Sequence, residues 1–437
     1  VVRILLFATT TGYQTRAFGE AAERLGVELV FATDRCEQID DPWQDGAIPI
    51  RFHEEDRSVA AVVAAARARP VDGLLVVGDR PTLIAARVAQ ALGLPGHPPE
   101  GAAAARHKLK TRERLRDAAL PAPWFRPASV GDDARGLAAA VSFPCVVKPV
   151  ALSGSRGVMR ADDPDRFVAA VERLRALLRL PDIRAERNAA HDVMIIEGFI
   201  PGREYAVEGL LHHGSLQPLA IFDKPDPLDG PFFEETIYLT PSSASDTVQG
   251  AIVDGVGRAA AALGLHHGPI HAECRVNDAG VFVLEVAARP IGGLCARALR
   301  FDRPGTSETC SLEELLLRHA LGESPDGWRR ERAASGVMMI PIPRRGVLRG
   351  VDGVDGVDGA LQVPFVSDVR ITAKMDQLLV PLPEGASYLG FIFARAADAD
   401  ATIAERALRD AHARLVFRVD PEFQVLGSQI HYNHVHG

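Results

Sequence analysis

The stretch His271-Ala-Glu273-Cys-Arg-Val-Asn-Asp-Ala-Gly280-Val-Phe-Val-Leu-Glu285-Val-Ala-Ala-Arg289 decides how this chain is read. Val281–Val286 is strongly β-forming, and Cys274–Val276 can pair with it as the other arm of a hairpin. Gly280 suits the left-handed position that ends a three-residue loop, Asp278-Ala-Gly280. That loop pairs Asn277 with Val281, Arg275 with Val283 and Glu273 with Glu285. Two carboxylates then face each other among apolar neighbours, where like charges repel. A divalent cation resolves the conflict, because Mg2+ is held by one or two carboxylates together with phosphate oxygens. A two-residue loop would instead set the glutamates on opposite faces. Arg289 lies four residues beyond Glu285 and precedes Pro290-Ile-Gly292-Gly293. It reads either as a bidentate grip on a phosphate or carboxylate or as a surface arginine before a turn. The paired glycines allow close backbone approach.

Working outward, a second segment reads Pro144-Cys-Val-Val-Lys148-Pro-Val-Ala-Leu-Ser153-Gly154-Ser155-Arg156-Gly157-Val158. Lys148 ends an apolar strand, where an unpaired charge is costly unless it meets an anion. The Gly/Ser run that follows could close its N–H groups over phosphates. Its order, lysine then glycines, is not that of a P-loop. Taken by itself it also fits an ordinary turn. A third segment, Met194-Ile-Ile-Glu197-Gly198-Phe199-Ile200-Pro-Gly-Arg-Glu204, reads as a strand bending at Gly198. The bend would free backbone groups for a purine edge, and Glu204 could accept from ribose hydroxyls. A plain strand–turn–strand with surface glutamates fits it equally.

The order Lys108, Lys148, Gly/Ser loop, Glu197–Glu204, Glu273, Glu285, Arg289 resembles the ATP-grasp superfamily over nearly the whole chain. The run Glu285-Val-Ala287-Ala-Arg289 and the triplet His271-Ala-Glu273 are similar to the L-amino-acid ligases and carnosine-synthase-like enzymes of its carboxylate–amine ligase branch. The resemblance implies that Lys108 and Lys148 contact ATP phosphates and that Ser153–Val158, including Ser153, Gly154, Ser155, Arg156, Gly157 and Val158, forms the lid. It implies that Glu197, Gly198, Phe199 and Ile200 meet adenine and that Glu204 meets the ribose. Glu273 and Glu285 would bind Mg2+ (or Mn2+), and Arg289 would stabilise the acyl phosphate. His271, Gly292 and Gly293 stand on the substrate side. Many relatives carry asparagine where this chain has Ala287, which leaves the number of metal ions open. Phe222-Asp-Lys224 and Phe232-Phe-Glu-Glu235 also look like family segments near the substrate, with no role assigned.

The implied fold is α/β and α+β. Residues 1–105 form an N-terminal α/β domain, 106–321 a two-lobed ATP-binding region with a lid lobe at about 124–203, and 322–437 a small C-terminal α+β subdomain. The first hundred residues support this directly, with apolar strands at Val1–Ala8, Val27–Ala32 and Val71–Val77 alternating with helical patterns. Pro95-Gly-His-Pro-Pro marks the exit from that domain. From about Gly322 the pattern becomes less regular. Val351–Gly359, a Val-Asp-Gly repeat, reads as a turn-rich connector, because its acidic spacing does not match a calcium loop. The tail His431-Tyr-Asn-His-Val-His436 reads as a surface tail.

The bulk numbers set the frame. The chain has 437 residues, a net charge of −8 and 47% hydrophobic residues, as in an ordinary globular protein. The acidic balance argues against a nucleic-acid or anionic-membrane partner. Five cysteines with no C-x-x-C spacing, no charged-then-apolar leader and no run of about 18 apolar residues predict a cytoplasmic protein with free thiols. The expected activity is ATP-dependent joining of a carboxylate to an amine, with amino acids as small-molecule partners and a homodimer allowed for. The alternatives are a ligase of nucleotide metabolism of the glycinamide ribonucleotide type and an ATP-binding regulatory protein without turnover.

Overall fold

The computed structural model describes residues 1–9, 14–34 and 47–422. Cys36, residues 10–13 and the His431–His436 tail lie outside them. Four strands open the chain: β1 (Arg3–Phe7), β2 (Glu28–Thr33), β3 (Ile48–Pro49) and β4 (Gly73–Val76). They pair in parallel in the order β3-β2-β1-β4. Every residue of β1 is buried, which is why it reads as an unbroken apolar run rather than an alternating one. The helix Thr15–Leu25 buries Phe18, Ala21 and Ala22, one helical stripe, and stops at Gly26 with φ 65°. Asp79 follows the carboxyl end of β4, the edge at which parallel sheets place ligands.

The segment expected to form the lid lobe holds a second sheet of β5 (Phe125–Ser129), β6 (Cys145–Pro149), β7 (Met159–Ala161) and β8 (Val193–Gly198), antiparallel in the order β5-β8-β6-β7. The helix Pro164–Leu178 covers it with Phe167, Val171 and Leu174, all fully buried. Truncating Leu174 to alanine would cost about 2–5 kcal/mol.

The central sheet has eight strands. β9 (Arg203–His212), β10 (Ser215–Asp223), β11 (Ile237–Thr240), β12 (Gly268–Asn277) and β13 (Gly280–Ala287) run in the order β13-β12-β9-β10-β11. The strands Ala334–Ile340, Gly390–Ala396 and Val366–Ile371 continue it beyond β11. The C-terminal region is thus regular and shares its sheet with the middle of the chain. The Val-Asp-Gly repeat is likewise not a connector. It spans the end of the strand Gly346–Gly353 and most of the helix Gly356–Leu361. On one face of the sheet lies the helix Asp246–Leu263, packed on Val207, Ile270, Ala272 and Cys274. The other face joins the N-terminal domain in one core, with Ile4, Leu6 and Phe18 in the same cluster as Leu210, Phe222 and Phe391. Cys145, Cys274, Cys295 and Cys310 are buried free thiols. No described helix is long and apolar enough to cross a membrane.

Candidate active site

A cavity of about 560 Å³ lies where the three regions meet. Residues from the N-terminal domain (Asp79), the lid lobe (Lys148, Ser153–Ser155, Val158, Glu197), the central sheet and the C-terminal region (Tyr388) line it. Its floor follows from strand alternation. In β12, Ile270, Ala272 and Cys274 turn into the core, so His271, Glu273 and Arg275 turn to the cavity. β9 alternates in step, and the register sets His271 against Glu208 and Arg275 against Glu204.

The hairpin does pair Glu273 with Glu285, but by a different route from the one expected. Its loop has two residues, Asp278-Ala279, and Gly280 opens β13 opposite Asn277. Arg275 pairs with Phe282 and Cys274 with Val283. A β-bulge then inserts Leu284, and the register recovers at Glu273–Glu285. The bulge leaves carbonyls off the ladder. Arg112 Nη1 donates to two of them, Val283 at 3.1 Å and Leu284 at 3.0 Å. Arg112 is fully buried on the helix Lys108–Asp117, one turn beyond Lys108.

The same Arg112 holds the lid lobe's carboxylate. Its Nε donates to Glu197 Oε2 at 2.8 Å and its Nη2 to Glu197 Oε1 at 3.1 Å, while Lys148 Nζ donates to Oε1 at 2.5 Å. Burial works to raise the Glu197 carboxyl, but Arg112 and Lys148 outweigh it and hold it down to about 2. Burial depresses Lys148 to about 8 despite Glu197. Lys108 reaches back to the hairpin, 3.3 Å from Glu285, and donates to the Leu152 carbonyl at 2.6 Å.

Glu204, Glu235 and Glu273 bring carboxylate oxygens within 4.8 Å of one another. Lys224 stands among them. It donates to Glu204 at 2.8 Å, bonds Glu235 and lies 3.7 Å from Glu273. Arg275 Nε donates to Glu204 at 2.8 Å, and Tyr238 to Glu235 at 2.9 Å. Glu273 is left with the surplus. Burial first, then Glu235, with Glu204 and Glu285 adding, pushes its carboxyl well above the usual range, and Lys224 offsets only part of this. Its side chain keeps 28% exposure and lines the cavity. An oxygen donor set with excess negative charge and an open approach fits a divalent cation such as Mg2+.

The remaining predicted residues fall around this core. Ser153, Gly154, Ser155 and Val158 line the cavity. The loop is tied to the C-terminal region, with Gly157 N donating to the Pro383 carbonyl at 2.8 Å and Arg156 Nε to the Glu384 carbonyl at 2.8 Å. Gly198, Phe199 and Ile200 line the cavity beside Phe233, whose ring stacks on Phe199. At the bend, two backbone amides are engaged within the fold. Gly198 N donates to Trp124 and Phe199 N to Pro144. Glu204 has both oxygens engaged, although each keeps a lone pair. Arg289 is gripped by Asp79 through bonds of 2.9 and 3.1 Å. Gly292 and Gly293 line the cavity beside it. His271 Nδ1 lies 3.1 Å from Glu208, which also accepts from the Ile291 amide.

Asp79, Arg112, Glu208 and Arg275 carry no role in the sequence reading. Alternation through Glu204–Glu208 and His271–Arg275 points to two of them. The i, i+4 spacing from Lys108 points to Arg112.

Comparison with known proteins follows the same division of the chain. Models of the ATP-grasp N-terminal domain, the ATP-grasp domain and the L-amino acid ligase C-terminal domain 2 match residues 19–96, 141–298 and 338–420. The structure is similar to that of an L-amino acid ligase from Bacillus licheniformis, with a TM-score of 0.78, 27% identity, and 96% of this chain and 99% of that one covered. It shares only the fold with a phosphoribosylglycinamide synthetase from Anaerococcus prevotii, at TM-score 0.64 and 14% identity over 96% of this chain and 100% of that one. Among curated sequences, carnosine synthase 1 of Gallus gallus is 30% identical over 56% of this chain, and alanine–anticapsin ligase of Bacillus subtilis 25% identical over 54%. The chain spans 27% of the former's length and 52% of the latter's. With these three matches in order along one fold, the chain carries an ATP-grasp N-terminal domain, an ATP-grasp domain and an L-amino acid ligase C-terminal domain 2.

Proposed function

We propose that this protein is an ATP-dependent carboxylate–amine ligase that joins amino acids or similar small acids and amines. ATP phosphorylates a carboxylate, giving an acyl phosphate and ADP. The amine then attacks the acyl carbon, an amide forms, and phosphate leaves. The observation that carries the reading is one cavity with an uncompensated carboxylate, Glu273, on its floor and two lysines, Lys108 and Lys148, at its rim. Such a site can take a metal ion at its carboxylates and the phosphates of a polyanion at its lysines.

The chain's own residues do the positioning. Lys108 and Lys148 hand part of their charge to the phosphates, each now paired with a carboxylate. The Ser153–Val158 loop covers the phosphates and excludes water that would hydrolyse an acyl phosphate. Phe199, Phe233 and Ile200 offer an apolar slot for the base, with Glu204 toward the ribose. Arg289, held by Asp79, presents positive charge where the carboxylate is activated. A divalent cation held by Glu273 and Glu285 would neutralise the phosphate oxygens. No enzyme nucleophile is required. Cys295 lines the cavity, but burial, with Glu235 adding, pushes its thiol far above the reactive range.

Two of the relatives named above, the L-amino acid ligase and alanine–anticapsin ligase, are amino-acid ligases by description, which supports amino acids as substrates. A nucleotide-metabolism ligase would need free arginines for a ribose phosphate. Among the described cavity residues the arginines are Arg275 and Arg289, and both already bind carboxylates. A screen of Mg2+-dependent ADP release over amino-acid pairs, with mass spectrometry of the product, tests the reading. ADP release and an amide product are expected. Tight ATP binding with no release for any carboxylate–amine pair would sink it.

A further inference from the structure

At the far end of β9 and β12 from Glu204, a set of histidines gathers outside the nucleotide cavity. β9 and β10 are joined by the two-residue turn His213-Gly214, with His212 paired to Ser215. Both turn residues are left-handed, φ 50° and 86°, a turn in which asparagine is the usual first residue. Gly214 N donates to the His266 carbonyl at 2.7 Å, which pins the turn to the residues entering β12. The rings of His212, His213 and His267 thereby converge, with centroids 4.5 to 5.4 Å apart. Each offers a ring nitrogen lying within 4.8 Å of the others.

His267 is the decisive member. It is only 4% exposed, and neither of its ring nitrogens has a hydrogen-bond partner. A buried polar group left unsatisfied is costly, so a ligand that engages it is favoured. His319 stacks on it at 4.2 Å, closing its other side. His319 Nε2 also lies 3.2 Å from His212 Nδ1, a contact that fixes the His212 ring as outer partners fix metal-bound imidazoles. His213 is exposed and provides the path of entry. His97, by contrast, is spent, bonded to the Pro269 carbonyl and the His266 amide.

We propose that His212, His213 and His267 form a second metal site, for a first-row transition ion such as Zn2+. Three imidazoles and a fourth open position suit zinc, and an all-nitrogen set does not suit Mg2+. Around a tetrahedral ion with bonds of about 2.1 Å, ligand atoms sit roughly 3.4 Å apart. The ring nitrogens, all within 4.8 Å of one another, would draw together toward that spacing on binding. The site sits where β9 and β12 meet the helix Leu312–Ala320, which carries His319, and the His97 segment that leaves the N-terminal domain. A bound ion would pin that junction.

The test is calorimetric titration of Zn2+ into the full chain, stripped with a chelator and without an added histidine tag. One ion per chain is expected, unmoved by excess Mg2+, with Co2+ giving the visible absorption of a tetrahedral nitrogen site. His213→Asn suits the left-handed turn and so should fold. It should weaken binding by roughly 10- to 100-fold or more. His267→Phe keeps an aromatic ring at the buried position, removes both ring nitrogens and should abolish the site. A variant with His431, His434 and His436 replaced by alanine should bind as the parent does. Unchanged affinity in His213→Asn, loss of the ion in the tail variant, or no one-to-one binding by the parent would overturn the proposal.

Discussion

Glu197 and Glu273 line one cavity, yet their charges are balanced in opposite ways. Glu197 meets two cations, and its carboxyl is held down to about 2 although burial alone would raise it. Glu273 meets three other carboxylates and a shared lysine, and its carboxyl is driven up. The first arrangement is complete and ties the lid lobe to the hairpin through Arg112. The second is incomplete and calls for a cation from outside. Burial of a carboxylate is therefore uninformative until its partners are counted.

The strongest way to break this contrast is Glu273→Ala or Glu285→Ala. Each should lower Mg2+-dependent ADP release by about 1,000-fold with the fold intact by circular dichroism. Full activity in both would show that the metal assignment is wrong. Arg112→Met comes next. It unpairs Glu197 and two bulge carbonyls, and should cost about 3 kcal/mol in denaturant unfolding. Glu273→Gln under the same conditions, without metal, should cost nothing or stabilise. Equal losses would erase the distinction. Lys148→Met leaves Glu197 its two bonds from Arg112, so it should fold and raise the KM for ATP by about tenfold.

The smallest effects are in pH. Glu197 is depressed, so its contribution is present above the unfolded carboxylate value and is lost as pH falls toward 2. Glu273 is raised, so the metal-free protein loses stability as pH rises past the ordinary carboxylate range. Mg2+ should remove that second loss, and so should Glu273→Gln. Unfolding curves across pH, with and without Mg2+, separate the two windows. A Glu273 variant that keeps the parent's slope would contradict the assignment.

Much of this was legible in the chain. The parallel N-terminal sheet follows from apolar runs alternating with helical patterns. Glu273 opposite Glu285 follows from hairpin pairing, but the three-residue loop invoked for it is absent. A two-residue loop plus the bulge at Leu284 produces the same pairing. A bulge leaves no mark in an apolar run such as Val281–Leu284, so register read outward from the turn drifts by one. Arg112 with Glu197, and Asp79 with Arg289, are 85 and 210 residues apart. Nothing local specifies them; only the docking of three regions does. The Val-Asp-Gly repeat failed for the converse reason. Its local signal is a turn, yet Ala360 and Val363 anchor its helix in a distant core.

The most direct test follows the oxygen of the activated acid. With a substrate pair found by ADP release, the acid is supplied with 18O in its carboxylate and single turnovers are run with Mg-ATP. Activation by phosphate in this cavity predicts one labelled oxygen in the released phosphate, with the amide keeping the other. AMP and pyrophosphate as products, with the label in AMP, would contradict the account.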